Sequence, residues 1–536
     1  MKHVLLRGTA EVRRSILPRA AMLCLVAAGL ALAAVKAANA PITTDEAWSW
    51  NEWISAGAGR VWSDYSAANN HIFHNLLVRV ACILLGSGEL SLRLVSLGGW
   101  MLFLLSSFVL INRSIQSPVV RVCCMAALAL HPYLVDFAAL ARGYSLMLGF
   151  LAAGACLLDS GVKSVGTQRA GSGRPEPGVF FAGASVLFGL AMGTVPIGIY
   201  GAGALVITWT CIHYRALSAF GVFKSAALIL LPAGIVTAAV YYHAFGQLSA
   251  DTFYYGADSL PQSLRSLYET LIYVPQAAVD RLGNPLPVNT SGFHSWKQLL
   301  IPPKLYTVLY SPVSIAVFSL LAAAGLVAGL FRPKDNGRID VRPAAAAAII
   351  TVDFLLLGSV AAGTRLPLGR TWLVAVPFLV IGVFCGADYL LRRSGKKFRP
   401  AAVILLSAVF GVLMVNWIST FDMKTYREWP DNSVVPSVIR HIEKTNPSMN
   451  VTAGYPWYQN ACFVYYTDRA SQTRLRPAPG HRAENPCWDY ILFNAWNMEP
   501  ALYAGYRTDL EFPAYNMKLL KIQTSEGLLE NRTAKR

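Results

Sequence analysis

The chain has 536 residues, of which 54% are hydrophobic and 14% charged, with a mean hydropathy of +0.43. That is too apolar for a soluble enzyme and too long for a single-span anchor, so the sequence is that of a polytopic membrane protein. The net charge of +17 would suggest nucleic acid if the basic residues clustered on a soluble domain, but they lie in the loops between apolar runs.

Taken in chain order, runs able to cross about 30 Å of hydrocarbon fall at 20–39, 90–111, 119–137, 143–158, 179–194, 196–214, 225–245, 304–331, 344–363, 371–391 and 400–420. They predict an α-helical membrane domain over residues 1–420 with about eleven transmembrane helices. Arg13, Arg14, Arg332, Lys334, Arg338, Arg342, Arg392, Arg393, Lys396 and Lys397 fall in the N-terminal tail and short loops of one side, whereas two long loops, 40–89 and 246–303, hold few basic residues. By the positive-inside bias the N-terminus is cytoplasmic, and both long loops and the C-terminal region are outside. Arg13 and Arg14, the apolar run and Ala38-Asn39-Ala40 also resemble a signal peptide, but cleavage would leave the sidedness downstream unchanged.

In the first outer loop, Trp48, Trp50, Trp53 and Trp62 suit a chain lying along the membrane interface, and His71–Leu85 could be a helix in that plane. The segment 159–178, rich in Gly, Ser and charge, reads as a cytoplasmic loop. The second outer loop, with Tyr254, Tyr255, Pro285, Pro287 and Trp296, is long enough to cover a site. After about residue 421 the hydropathy drops, which predicts a small mixed α/β domain over 421–536, with Val434–Ile442 as amphipathic helix and Cys462–Tyr466 as strand. The aromatics Trp429, Trp457, Tyr458, Trp488 and Trp496 read as the core of that domain or as platforms for sugar faces. Of nine cysteines, those in apolar runs read as small core residues, whereas Cys462 and Cys487, in an oxidising compartment, are expected to form a disulfide.

The acids Asp45-Glu46 stand just beyond the first apolar run. A carboxylate is costly in hydrocarbon, so acids at the mouth of a helix bundle face water and a substrate or mark a pathway. Three further strings share that outer side. Asn69-Asn70-His71 is followed by Glu89-Leu90-Ser91-Leu92-Arg93-Leu94; His131-Pro132 and Asp136 precede Ala141-Arg142-Gly143-Tyr144-Ser145; and Arg365-Leu366-Pro367-Leu368-Gly369-Arg370 precedes a late span. Asp353 falls within a predicted span, where a polar contact between helices is the default reading.

With Thr44-Asp45-Glu46-Ala47, these strings resemble, in order and spacing, the GT-C superfamily of membrane glycosyltransferases. The likeness is to the bacterial branch of families 39 and 83, which holds lipid A galacturonosyl and aminoarabinose transferases and, more remotely, protein O-mannosyltransferases. It covers residues 1 to about 240 well and the C-terminal domain hardly at all. What the resemblance implies is transfer of a sugar from a polyprenyl phosphate to a hydroxyl acceptor at the outer face of the bacterial inner membrane, with inversion. Asp45 would be the general base, with Glu46 orienting it, binding the acceptor or holding a metal. Arg142, Arg365 and Arg370 would bind the donor phosphate. Asn70, His71, Asp136, Tyr144 and Arg93 would support the site, Asp136 either functionally or by pairing with Arg142 or Arg93. A divalent metal remains open, with Glu46 and His71 as ligands. The chain shows no Asp-x-Asp motif and no Gly-rich phosphate turn, which fits a lipid-linked donor. A transporter or flippase would be expected to show matched halves, and none is visible; a polysaccharide ligase would place its chemistry in a late loop.

Overall fold

The computed structural model describes residues 2–168, 176–247, 256–273, 320, 323–328, 330–333, 339–341, 343–393, 399–446, 451–468, 475–479, 488–494, 506–512 and 517–522. They form two compact units. The first contains Met1–Ala37, Ala58–Val274 and Lys304–Phe421, and the second contains Ala38–Gly57 and Asp422–Arg536. The segment bearing Asp45 and Glu46 therefore groups with the C-terminal domain and not with the spans that flank it in sequence.

The first unit is helical. It holds α1 (Lys2–Asn39, to Ala37), α3 (Ala58–Ser63), α4 (Ile72–Leu85), α5 (Glu89–Ser114), α6 (Pro118–Ala129), α7 (Pro132–Ala139) and α8 (Tyr144–Gln168). It continues with α9 (Pro177–Thr194), α10 (Gly198–Ile212), α11 (Tyr214–Phe220), α12 (Val222–Tyr241), α13 (Leu260–Ile272), α14 (Pro343–Ala361), α15 (Val376–Arg393) and α16 (Arg399–Thr420). Five described helices are long and apolar enough to cross a membrane, six if α6 and α7 form one span bent by 47°. Gly198–Ile212, Ala345–Ala361 and Leu406–Thr420 are shorter and apolar, and most of the predicted span 304–331 lies outside the described residues. The protein is a multi-pass membrane protein built on apolar helices. The bend between α6 and α7 has a local cause: Pro132 cannot continue the helix that ends at Ala129, but suits the first position of the next.

Close packing relies on small residues, as it does wherever helices associate in lipid. A Cβ on Gly99 of α5 would run into the Leu146 backbone of α8, and one on Gly149 would sit 2.6 Å from the Gly99 carbonyl oxygen. Between α9 and α12 the device is a hydroxyl. Pro232 lies inside α12, and there the Ser185 side chain donates to the Ile229 carbonyl at 2.6 Å and accepts from the Ala233 N–H at 2.8 Å. One serine thus bridges a helical turn that proline distorts. The buried Asp388 of α15 accepts the Ser117 N–H at 2.8 Å and caps the start of α6.

In one respect the helices correct the sequence reading: α8 runs on to Gln168, through the first half of what the Gly, Ser and charged composition of 159–178 suggests as loop. Arg113 and Lys163 both hold Asp159 at 2.7 Å along that extension. Asp353 lies on an exposed part of α14.

The second unit holds α2 (Thr44–Ser49), which runs into a π-helical turn Trp50–Ile54, then α17 (Val435–Thr445), α18 (Asn460–Thr467) and a five-stranded mixed sheet. Strand β3 (Val451–Tyr455) pairs in parallel with β4 (Leu475–Pro479) and β5 (Tyr490–Asn494). Strand β7 (Met517–Ile522) is antiparallel to β5, and β6 (Tyr506–Phe512) forms the antiparallel edge beyond it; β1 (Phe331–Pro333) and β2 (Ile339–Val341) pair separately in the first unit. In α17 the 3.6-residue period buries Val435, Val438, Ile439 and Ile442. Cys462–Tyr466 is helix, not strand. Its β-branched and aromatic residues carry strand propensity, but their packing decides: Cys462, Phe463 and Tyr465 are buried on one helical turn, and Phe463 stacks on Tyr455 of β3 at 4.1 Å.

Candidate active site

In the first unit, the loop from α3 to α4 is pinned before any chemistry is considered. Asn70 donates to the Val61 and Asp64 carbonyls at 2.8 and 2.6 Å and accepts from Asn75 at 2.9 Å. This holds His71, just ahead of α4, against the turn between α7 and α8. The Gly143 N–H donates to His71 Nδ1 at 2.8 Å, and Arg142 Nη2 lies 3.1 Å from Nε2. Arg142 also donates to the Asn69 carbonyl at 2.9 Å, and Ser96 ties its backbone by accepting its N–H and donating to its carbonyl. Both His71 and Arg142 are buried.

These contacts fix the ring's chemistry. Nδ1 must accept from Gly143, so a neutral ring carries its proton on Nε2, next to a guanidinium that can only donate. A charged ring would face donors at both nitrogens. Burial first, then the charges of Arg142, His74 and Arg370, hold the His71 imidazole well below its ordinary range. The Arg142 guanidinium is thereby held against the ring as a buried positive charge. Tyr144 packs edge-on to His71 at 5.2 Å. The nearby Tyr65 is buried, and its hydroxyl has no hydrogen-bond partner among the described residues. A Cβ on Gly143 would come 3.1 Å from His71 Nδ1 and 2.7 Å from Thr194, so that position admits only glycine without displacement.

Of the other predicted phosphate ligands, Arg370 lies in a 3-10 turn, Gly369–Val374, that opens on Gly369 at φ 48°, a left-handed conformation suited to glycine. Its charge reaches His71. Arg365 is half exposed, 3.2 Å from Asp258, and its neighbour Leu366 exchanges backbone hydrogen bonds with Ala257. Arg93 is buried, donating to the Ala37 carbonyl at 2.8 Å with Glu89 at 3.8 Å.

Asp136 departs from expectation. Its partner is Lys36 of α1 at 2.6 Å, while its other oxygen accepts the Tyr273 hydroxyl at 3.0 Å. Lys36 also lies over the Phe421 ring at 4.5 Å. Arg93 donates to the Ala37 carbonyl and Arg142 to the Asn69 carbonyl. Sequence reasoning passed over Lys36, although a lone lysine inside the first apolar run was the signal. Tyr273, at φ 62°, could not be read from sequence.

In the second unit, Asp45 and Glu46 lie in the first turn of α2 and are nearly buried, 8% and 2% exposed. Thr43 and Glu46 close a capping box: Glu46 Oε2 accepts the Thr43 N–H at 2.9 Å and its hydroxyl at 3.1 Å. One acid of the pair is therefore used in building the helix that carries the other. The proposed metal pair is poorly served, because both nitrogens of His71 face donors and Glu46 Oε2 is committed to the cap. Among the described residues no group of three or more His, Cys, Asp or Glu could hold a metal. Cys462 lies 3.6 Å from the Ile42 carbonyl, and its expected partner Cys487 is outside the described residues. Trp53 is buried and stacks on Trp48 at 6.3 Å, whereas Trp62, in the first unit, is 41% exposed and donates to the Ala239 and Val240 carbonyls.

No protein-family model matches this chain, and no curated protein matches it. Among solved structures, ArnT from Cupriavidus metallidurans bound to undecaprenyl phosphate is similar at 13% identity, covering 94% of this chain and 98% of that one, with a TM-score of 0.49. The archaeal oligosaccharyltransferase AglB from Archaeoglobus fulgidus, in complex with an inhibitory peptide and a dolichol-phosphate, is similar at 12% identity over 83% of this chain and 63% of that one, with a TM-score of 0.43.

Two outcomes follow from this geometry. Lys36→Met strands a buried carboxylate and should lower stability by about 3–5 kcal/mol, whereas Lys36→Met with Asp136→Leu should recover most of the loss. Thermal unfolding in detergent reads both, and a double variant as unstable as the single one would contradict a simple buried pair. The second outcome concerns pH. Because the folded ring of His71 resists protonation, the unfolded chain takes up a proton that the folded one does not below about pH 6.5. This contribution is fully present above that pH and is lost as pH falls toward the depressed folded value. Arg142, Arg370, His74 and Tyr144 surround the ring, so His71→Asn should flatten the fall in unfolding midpoint between pH 7.5 and 5, by comparison with wild type measured side by side; identical slopes would refute this.

Proposed function

We propose that the protein is an integral-membrane glycosyltransferase of the GT-C type, working at the outer face of a bacterial inner membrane with its N-terminus in the cytoplasm. It would move a hexose or pentose from a polyprenyl phosphate to a hydroxyl of an envelope glycolipid, polysaccharide or protein. The observation that carries this reading is the buried Arg142 guanidinium, held against the neutral His71 ring. A lipid-linked phosphate brings its negative charge to such a cation and places its prenyl chain among apolar helices.

In a single displacement, the acceptor oxygen attacks the anomeric carbon as the bond from that carbon to the phosphate oxygen breaks, which inverts the centre. The departing electron pair goes to the phosphate, where Arg142, with Arg370 adding to the local positive charge, stabilises it. No proton has to be supplied to this leaving group. The acceptor's proton goes to a carboxylate, and Asp45 is the candidate base, since Glu46 is held by its capping contacts. Arg365, paired with Asp258 at the surface, is better suited to a first encounter with the anionic headgroup than to holding it. Asn70 and Tyr144 position His71, while Asp136 and Arg93 secure the surrounding helices.

The direct test is mass spectrometry of envelope glycolipids, polysaccharides and glycoproteins from cells lacking the gene, which should be short of one sugar. Complementation with wild type should restore it. Asp45→Asn should leave expression intact and reduce transfer by about 10²–10⁴-fold, and near-wild-type transfer would rule out Asp45 as the base. Arg142→Ala should likewise fail to restore the sugar, and full restoration would remove the phosphate assignment.

A further inference from the structure

Within the second unit, the helix bearing Asp45 is held by residues of the C-terminal domain nearly four hundred positions away. Its first residue, Thr44, donates its hydroxyl proton to the Tyr458 carbonyl at 2.7 Å. A hydroxyl has one proton, so with that spent, Thr44 Oγ1 can only accept from the Asn432 side-chain N–H, at 3.0 Å. Asn432 is 2% exposed. The Ile42 N–H donates to the Tyr466 hydroxyl at 2.9 Å, and the Asn51 side chain donates to the Ala461 carbonyl at 3.1 Å. Contacts thus reach α2 on both sides of Asp45, and the one adjacent to it is a directed chain from Asn432 through Thr44 to the backbone of Tyr458.

We propose that Asn432 is a positioning residue for the transfer reaction: through the Thr44 hydroxyl it sets the first turn of α2 and hence the direction in which the Asp45 carboxylate projects. This rests on Asp45 being the base. The reasoning is geometric. General-base catalysis needs the carboxylate within hydrogen-bond reach of the attacking oxygen, and an error of about 1 Å in placement can cost about a hundredfold in rate. A six-residue helix is too short to be stable alone, so its register has to come from outside. The Thr44 hydroxyl, satisfied as donor and acceptor, supplies it. The C-terminal domain would on this account complete the catalytic residue's support.

The test uses deletion cells complemented with the full-length chain at matched protein levels, reading the missing envelope sugar. Thr44→Ser, which keeps the hydroxyl, should restore transfer. Thr44→Val, Asn432→Ala and Asn432→Asp, which break the chain, should lower it by about tenfold or more, as expected for one or two lost buried hydrogen bonds. The combination Thr44→Val with Asn432→Ala should be no worse than the lower single variant, because both act through one hydroxyl. In purified protein, hydrogen exchange at the amides of residues 45–48 should accelerate in the same variants and stay unchanged in Thr44→Ser. Carbodiimide labelling of Asp45 at one fixed pH should change in rate in the same variants and stay unchanged in Thr44→Ser, a local readout of how the carboxylate is presented. Wild-type transfer in Thr44→Val, or losses that multiply in the double variant, would overturn the proposal. If Asn432→Ala does not accumulate, the comparison of Thr44→Val with Thr44→Ser decides alone. Full transfer in Asp45→Asn would defeat the base assignment instead, a result the exchange and labelling data keep separate from this one.

Discussion

A charge inside an apolar helix bundle must find a partner, and Asp136 shows how far that constraint reaches. Its two oxygens take the Lys36 ammonium at 2.6 Å and the Tyr273 hydroxyl at 3.0 Å. One carboxylate thereby joins α1, α7 and the end of α13, and the Phe421 ring beneath Lys36 brings in the residue that follows α16. In a low-dielectric setting such a pair adds little net stability over apolar residues of the same shape, but once present it forbids arrangements that separate its members. The elements that meet at Asp136 are thus held in one arrangement.

The same rule, applied to a group left neutral, shapes the candidate site. His71 is clasped by the Gly143 N–H on one nitrogen and faced by Arg142 on the other, so that proton uptake is opposed from both sides. A neutral imidazole beside a guanidinium leaves the cation's charge uncompensated by the ring. It also explains the economy of the surrounding polar residues: Asn70, Ser96 and Gly143 contact backbone or ring nitrogens, and their hydrogen bonds serve to hold His71 and Arg142 in place. In the second unit Glu46 plays the comparable part for Asp45, closing a cap at the cost of its own availability.

Much of this was legible in the chain. The acidic pair after the first apolar run, the Arg142-Gly143-Tyr144 string and the late arginines all stand where a site could use them, because a charged residue beside an apolar run is costly and therefore conspicuous. The capping box Thr43-x-x-Glu46 was also readable, as a helix start. Other readings failed for stated reasons. Cys462–Tyr466 carries strand propensity but folds as helix, since its packing on β3 outweighs a preference of under about 1 kcal/mol. Residues 159–168 look like loop until Arg113 and Lys163 converge on Asp159. The partner of Asp136 could not be chosen among Lys36, Arg93 and Arg142 by type, because all three are cations near span ends.

The sequence by itself determined the solvent. Hydropathy and the asymmetry of basic loops prescribe apolar helices, their approximate limits and a separate polar domain, because these follow from transfer energies that act on each segment alone. Pairing was decided only in three dimensions: which cation meets Asp136, which tautomer His71 must adopt, and that Thr44 is gripped by Asn432 and Tyr458. These depend on distances of 2.6 to 3.1 Å between residues up to 414 positions apart, and no periodicity or local motif encodes a contact of that kind.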